Sequence, residues 1–347
     1  MKGRGLGQPT EYSPSREFRT VSMNEILSNN RGMALILTIM IVSLIVTLTL
    51  QFNASMRSDL EETANLRDGI KMSYVAKSGF SYALAVLSVD TEEGSVDALY
   101  DIWADSKTLS ENAGSLFDDS RVELGISDQS ARIQINQLVD ENGEYDAVQK
   151  GLLTRFLLST VFGLSSEEVD NIVDAIKDWI DGNSEVTRFG AEDTYYKTLE
   201  KPYACKNAPL EFKEELLLIR GITKELFYGT EERPGISNYL TTYGDGNINI
   251  NTADPLILRA LSEDMDDGLV EEMVSYRDDE ESDLSDPAWY KKLPGMGAVA
   301  VSDDLLTTSS TYFEVTSAGL RDDMAKRISG IVKRTEGKLE TLSWKVE

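Results

Sequence analysis

Six oxygen-bearing side chains fall within sixteen residues of one another: Asp178, Asp181, Asn183, Glu185, Glu192 and Asp193, set around Gly182 and Gly190. Carboxylate and amide oxygens carried on glycine-containing turns suit a hard cation, and calcium takes roughly six to eight such ligands. The spacing is not that of an EF-hand. The other reading is a solvated helix end, with Asp178 and Asp181 facing water beside a buried Trp179 and Ile180. A second acidic run, residues 263 to 286, holds twelve acids and one base, Arg277. It reads as solvated surface ahead of a metal site.

Other chemistry is narrowed by what the chain lacks. There is no histidine, which removes the commonest general base and transition-metal ligand, and with it serine or cysteine triads and histidine-based zinc sites. The single cysteine, Cys205, has no partner for an internal disulfide. Glu192 and Asp193 are adjacent acids, whereas glycoside cleavage needs two carboxylates held across a substrate at a defined separation. Catalysis is therefore not expected. The run Leu293-Pro294-Gly295-Met296-Gly297 resembles the turn of a helix-hairpin-helix, whose backbone amides hold a DNA phosphate. Asp303 and Asp304 stand where a DNA reader would want bases, and a net charge of −26 repels a phosphate backbone. No nucleic acid partner is expected, although a membrane-anchored DNA receptor stays as an alternative.

The elements that must position these residues emerge from periodicity. Residues 33 to 50 are eighteen uncharged, mostly apolar residues. As a helix they span roughly 27 Å, close to the hydrocarbon thickness of a bilayer. The preceding 32 residues carry five basic and three acidic side chains, which places them on the cytoplasmic side and the bulk of the chain outside. From Phe52 the pattern becomes amphipathic, with Phe52, Met56, Leu60, Ala64, Ile70, Tyr74, Phe80, Leu84 and Leu87 recurring mostly at steps of three or four. No proline intervenes between Pro14 and Pro202, so one helix is predicted from about Met33 to Val89.

The period then changes to two. Val122, Leu124 and Ile126, followed after Asp128-Gln129-Ser130 by Ala131, Ile133 and Ile135, read as a hairpin. Phe313 and Val315, then Ile328 to Val332, then Leu342, Trp344 and Val346 repeat that texture, and all are expected in one sheet. The region between is predicted to be almost entirely helical, with helices at Leu152–Phe162, Ser166–Ile180, Glu211–Arg220, Thr223–Tyr228, Pro255–Ser262 and Leu269–Arg277. A long helix laid on an antiparallel sheet buries one face of each, an α+β solution.

Arg31-Gly32 directly before Met33 and the apolar run resembles a type IV pilin-like signal; an uncleaved signal anchor is the other reading. Taken with INQL at 135 to 138, DAIKDWIDGNSEVTRFGAEDTYY at 174 to 196, KNAPLEFKEELLLIRGIT at 206 to 223 and GNININTA at 246 to 253, the chain resembles the K-type minor pseudopilins of type II secretion systems over residues 31 to 335. That resemblance implies a pilin-like long N-terminal helix packed on an antiparallel sheet, with a large inserted all-α domain. It divides the chain into a cytoplasmic leader (1–32), transmembrane (33–50) and periplasmic (51–90) parts of the helix, and the first part of the pilin-like domain (91–136). An inserted SAM-like or helix-hairpin-helix-like domain (137–310) and C-terminal strands (311–347) complete it.

The resemblance further implies cleavage between Gly32 and Met33 by a prepilin peptidase, N-methylation of Met33, and calcium in the inserted domain. The implied place is the inner membrane, single-pass, with most of the chain periplasmic. Partners would be the other minor pseudopilins of a tip complex, the major pseudopilin and the peptidase, so that the tip starts or caps a short filament driving export of folded proteins. Leu37 stands where most such subunits carry a glutamate at the fifth mature residue, which fits a subunit not docked from above. The assembly surface would be the helix, through Leu37, Phe52, Met56 and Leu60. A type IV pilus minor pilin is an alternative of the same fold.

Overall fold

The computed structural model describes residues 30–93, 96–335 and 338–347; most of the predicted leader (1–32) therefore lies outside the described residues. Helix α1 runs Asn30–Glu93 as one uninterrupted element. Two compact units divide within it, at Arg67 and Asp68. In the first, residues 32 to 63 of α1 are exposed throughout. Among the described residues this is the one helix long and apolar enough to cross a membrane.

In the second unit, the rest of α1 lays Met72, Val75, Ala76, Phe80, Ala83 and Leu87 on a sheet. Burying each large side chain of this kind contributes about 1.5–3 kcal/mol. The sheet is antiparallel, built from β1 (Arg121–Asp128), β6 (Tyr312–Arg321), β7 (Met324–Thr335), β8 (Lys338–Thr341) and β9 (Lys345–Val346). Its order is β1-β6-β7-β8, with β9 also pairing β7. Alternate residues Val122, Leu124, Ile126, Phe313, Val315, Ile328 and Val332 face the helix. The close approach depends on Gly319, where a Cβ would stand 2.5 Å from the Met72 carbonyl and 3.1 Å from the Ala76 nitrogen. Helix α2 (Ser106–Gly114) covers the open edge of β1: Ser110 Oγ accepts from Leu124 N at 2.9 Å, occupying a donor that would otherwise be unpaired.

The expected α+β architecture holds, but the predicted hairpin does not form. Ile133 and Ile135 do not form a hairpin with Val122 to Ile126. The partner of β1 is β6, in the register Ile126↔Val315. Strand β2 (Ile133–Gln134) instead pairs in parallel with β3 (Leu240–Thr241). Asp128 is not an exposed turn residue between paired strands: it is buried and accepts hydrogen bonds from residues more than 100 positions away. The sheet therefore leaves off at Asp128, and residues 129 to 135 belong to the insertion.

The insertion has its own core and contains α3 (Ala147–Leu157), α4 (Ser166–Ile180), α5 (Asp193–Tyr196), α6 (Lys224–Tyr228), α7 (Pro255–Ala260) and α8 (Asp267–Arg277). It is less purely helical than the pattern implies. β2 and β3 pair within it, and β4 (Ile248–Asn249) pairs in parallel with β5 (Leu306–Thr307). The predicted helix Glu211–Arg220 is a tight 3₁₀ segment over Lys213–Leu218. The run Leu293 to Gly297 follows one 3₁₀ turn, Trp289–Lys292, and runs into a second, Met296–Ala298. Neither is the α-helix that a helix-hairpin-helix requires.

Candidate functional site

Helix α4 carries the acidic site. Its start is fixed by a capping box: Glu168 N donates to Ser165 Oγ at 3.3 Å while Ser165 N donates to Glu168 Oε2 at 2.8 Å. Its apolar face, Val169, Ile172, Val173, Ile176, Trp179 and Ile180, is buried in the insertion core. That seating draws Asp174, Lys177, Asp178 and Asp181 inside as well, so Asp178 and Asp181 are not solvated.

The loop after α4 folds back over these carboxylates. Thr187 N donates to Asp178 Oδ1 and Oδ2 at 3.0 and 3.2 Å, and Phe189 N donates to Asp174 Oδ2 at 3.1 Å. Gly190 permits the return, because a Cβ there would stand 2.7 Å from Asp178 Cγ and 2.8 Å from the Asp174 carbonyl. Lys177 Nζ donates to Asp181 Oδ2 at 2.8 Å and to Thr187 Oγ1 at 3.1 Å. Glu192 is 1% exposed, and its carboxylate oxygens have no well-formed hydrogen bond, with the Cys205 thiol and the Asp193 N–H as their nearest donors. An unpaired buried carboxylate is costly.

Electrostatics reflect that geometry. Burial pushes the Glu192 carboxyl above its usual range, and the charges of Asp178 and Asp181 push it further. Burial likewise raises Asp178, with Asp181 adding repulsion. The Cys205 thiol, donating to the Asp178 carbonyl at 3.4 Å, is pushed up to about 12 by burial and then by Glu192. It is held as a neutral thiol.

Of the six predicted ligands, Asp178, Asp181 and Glu192 are buried and repel one another, but their oxygens do not all come within 4.8 Å of each other. The other three lie apart. Asp193 accepts from Cys205 N at 2.9 Å and pairs with Lys197. Asn183 Oδ1 accepts from Glu185 N at 2.6 Å, and both side chains are exposed. The helix residues Leu37, Phe52, Met56 and Leu60 are exposed, as are Gly32 and Met33.

A second polar centre is not legible in the sequence. Asp90 near the end of α1, Asp97 and Asp101 in the connector, and Arg334 on β7 converge. Among the described residues, these three acids are the one group of potential metal ligands whose oxygens all lie within 4.8 Å of one another. Arg334 Nη1 donates to Asp90 Oδ2 at 2.8 Å; Nη2 donates to Asp97 Oδ2 at 2.6 Å and to the Ser310 carbonyl at 3.0 Å. Asp97 Oδ2 also accepts from Ser310 N at 2.6 Å. Beside it, Asp128 Oδ2 accepts from Thr252 Oγ1 at 2.5 Å, Ser310 Oγ at 2.6 Å and Asn249 Nδ2 at 3.3 Å. The network spans both crossings of the chain between sheet and insertion. Its members come from five distant segments, so no local spacing could reveal it.

Two family models described as type II secretion system, protein K match residues 131–230 and 248–309. The chain is 26% identical over 334 residues to the type II secretion system protein K of Aeromonas hydrophila, covering 90% of this chain and 95% of that protein. It is 25% identical over 204 residues to the putative type II secretion system protein K of Escherichia coli strain K12, covering 58% and 60% respectively. A chain in the crystal structure of the GspK-GspI-GspJ complex from the enterotoxigenic Escherichia coli type 2 secretion system superposes with a TM-score of 0.67 at 17% identity, over 82% of this chain and 99% of that one. Its inserted domain matches the type II secretion system protein K models, and over nearly its whole length the chain is similar to proteins of that name.

Proposed function

We propose that this chain is a minor pseudopilin that joins a small heteromeric tip with two other pseudopilins and works by assembly, not catalysis. The observation that carries the reading is the union, in one chain, of a fully exposed apolar helix with a sheet bearing a large inserted domain. The solved neighbour is a GspK-GspI-GspJ complex, so subunits of those two kinds are the expected partners, with the major pseudopilin below them. In this reading residues 33 to 50 of α1 anchor the chain in the inner membrane, the second unit lies in the periplasm, and a prepilin peptidase cleaves between Gly32 and Met33 and methylates Met33. A DNA-receptor role loses its motif, since the segment around Leu293 to Gly297 lacks flanking α-helices.

The test is to co-express the full chain with its host's other minor pseudopilins and solubilise the membranes in mild detergent. A heteromer of defined stoichiometry is expected, with the intact mass of this chain beginning at methylated Met33. A chain that purifies alone would overturn the tip assignment, and an intact mass that retains residues 1 to 32 would overturn the leader reading.

Calcium belongs to the same proposal. The donors Asp178, Asp181 and Glu192 are all oxygen, which fits a hard cation better than a transition metal; Asp181 is paired with Lys177 and the three carboxylates do not all lie within 4.8 Å of one another, so a bound cation has to draw them together. The fit rests on Glu192, whose buried oxygens make no well-formed hydrogen bond. A bound cation would neutralise the repulsion that raises Asp178 and Glu192. At a calcium concentration about 100 times Kd, the folded chain is expected to gain about 2.7 kcal/mol. Glu192→Gln should abolish most of that gain in thermal unfolding with chelator and with calcium. An unchanged melting temperature in the parent chain would remove the site.

A further inference from the structure

We propose that the sheet carries a second helix seat beside α1, over the edge formed by β8 and β9, and that an apolar, acid-edged α-helix of a neighbouring minor pseudopilin fills it. The proposal rests on the tip reading above and names a surface through which that assembly works.

Helix α1 covers only part of its sheet. Within the second unit it lies over β6: Gly319 of β6 meets the Met72 carbonyl, Gly79 of the helix approaches Ser317 of β6 and Val122 of β1, and Phe80 rests on Gly330 of β7. The next strands outward, β8 and β9, pair with β7 on one side, and among the described residues no strand pairs with their other side. Two side chains of this edge stand on the helix-facing side of the sheet. Val346 is opposite Ile328 in the register, and Ile328 belongs to the core beneath α1. Trp344 meets the Phe80 ring edge-on at 4.7 Å. Even so, Trp344 is 46% exposed and Val346 52%.

The spacing fits a helix. Neighbouring strands lie about 4.8 Å apart, so the edge is roughly 10 Å from β6, and packed helices lie about 8–10 Å apart. A helix centred over the edge therefore packs against α1 and the sheet at once. Trp344 and Val346 are its floor. Its wall is the flank of α1 carrying Lys77, Phe80 and Leu84, which share one side by their steps of three and four.

Charge selects the occupant. Lys77 is exposed on that flank, and Lys326, two residues before Ile328 on β7, lies on the helix-facing side of the sheet. These positive charges border the seat in a chain whose net charge is −26. They favour a helix with carboxylates beside its apolar stripe.

The experiment uses the full chain, co-expressed with its host's other minor pseudopilins and kept in mild detergent. A benzophenone amino acid in place of Val346 is photolysed in the assembled complex, and the cross-linked peptide is identified by mass spectrometry. Cross-links to the N-terminal helix of another minor pseudopilin are expected. The same probe in place of Lys345, which lines the groove on the opposite side of the sheet, should not reach that helix. Val346→Glu should weaken the heteromer about 30-fold, the scale of a lost hot spot. Lys345→Gln should stay within about twofold of the parent. Proteolytic stability of Val346→Glu should match the parent's, because Val346 belongs to neither core cluster. Cross-links confined to this chain, to a strand of the partner or to a second copy would overturn the seat and leave the tip reading standing, as would a Val346→Glu heteromer of parental affinity. A parent chain that forms no heteromer would overturn both.

Discussion

Arg334→Met is expected to cost the folded chain about 3–5 kcal/mol, the loss characteristic of leaving one partner of a buried ion pair uncompensated. The Arg334 side chain is 9% exposed and that of Asp97 is 1% exposed, so water cannot replace the guanidinium. The same group bridges Asp90 and the Ser310 carbonyl and lies over the Phe313 ring, 4.6 Å from its centroid. Lysine is a compact point charge without the planar fork, so Arg334→Lys should recover only part of the loss. Adding Asp97→Asn to Arg334→Met should restore stability relative to Arg334→Met alone, because the stranded charge is then gone. Urea unfolding of the full chain in detergent measures all of these. A loss below about 1 kcal/mol in Arg334→Met would mean that the pair is exchanged for water and that the network around Arg334 is not a structural centre.

The contrast between this network and the α4 loop shows which parts of the molecule the sequence reveals. Helix α4 begins and ends where its pattern predicts, because Ser165 and Glu168 cap it within four residues and its apolar face repeats at helical spacing. The β6–β7 hairpin is equally legible: Asp322 adopts a positive φ of 51° at the turn, and alternating residues face the helix. Residues 131 to 135 carry the same alternation as β1. What decides their pairing is Leu240, more than 100 residues on, together with the side-chain network that holds Asp128. Periodicity tells which face of a strand is buried but not which strand lies beside it.

The acidic loop is legible in composition and only partly in geometry. Glu192 and Asp193 are neighbours in sequence. At the start of α5 the first is buried without a well-formed hydrogen bond, while the second reaches outward to Lys197. Asp178 and Asp181 are three apart on one helix face, and the burial of Trp179 and Ile180 carries them inward. Sequence spacing alone fits a solvated helix end as well as a ligand set. Burial of Asp178 and Asp181 removes the solvated helix end; a cation on these carboxylates is the proposal made above.

Export of folded proteins is expected to stop when Phe52, Met56 and Leu60 are each replaced by glutamate, with the sheet and its insertion still folded. The three side chains are 65%, 45% and 65% exposed, and steps of four place them on one face of α1. In this first unit they bury nothing within the chain, so the substitutions leave the second unit's core untouched. Against partner helices the effect is large. Each change removes about 1.5–3 kcal/mol of apolar burial and adds a carboxylate to be desolvated. A loss of about 4 kcal/mol already weakens association about 1,000-fold. Ser58→Glu, on the opposite face of the helix, adds one charge to a surface already carrying Arg57, Glu61 and Glu62 and should leave export near the parental level. Secretion assays paired with limited proteolysis of the sheet and its insertion separate failed assembly from failed folding. Full export by a stably folded triple variant would take this face out of the assembly and move the contact to the sheet or the insertion.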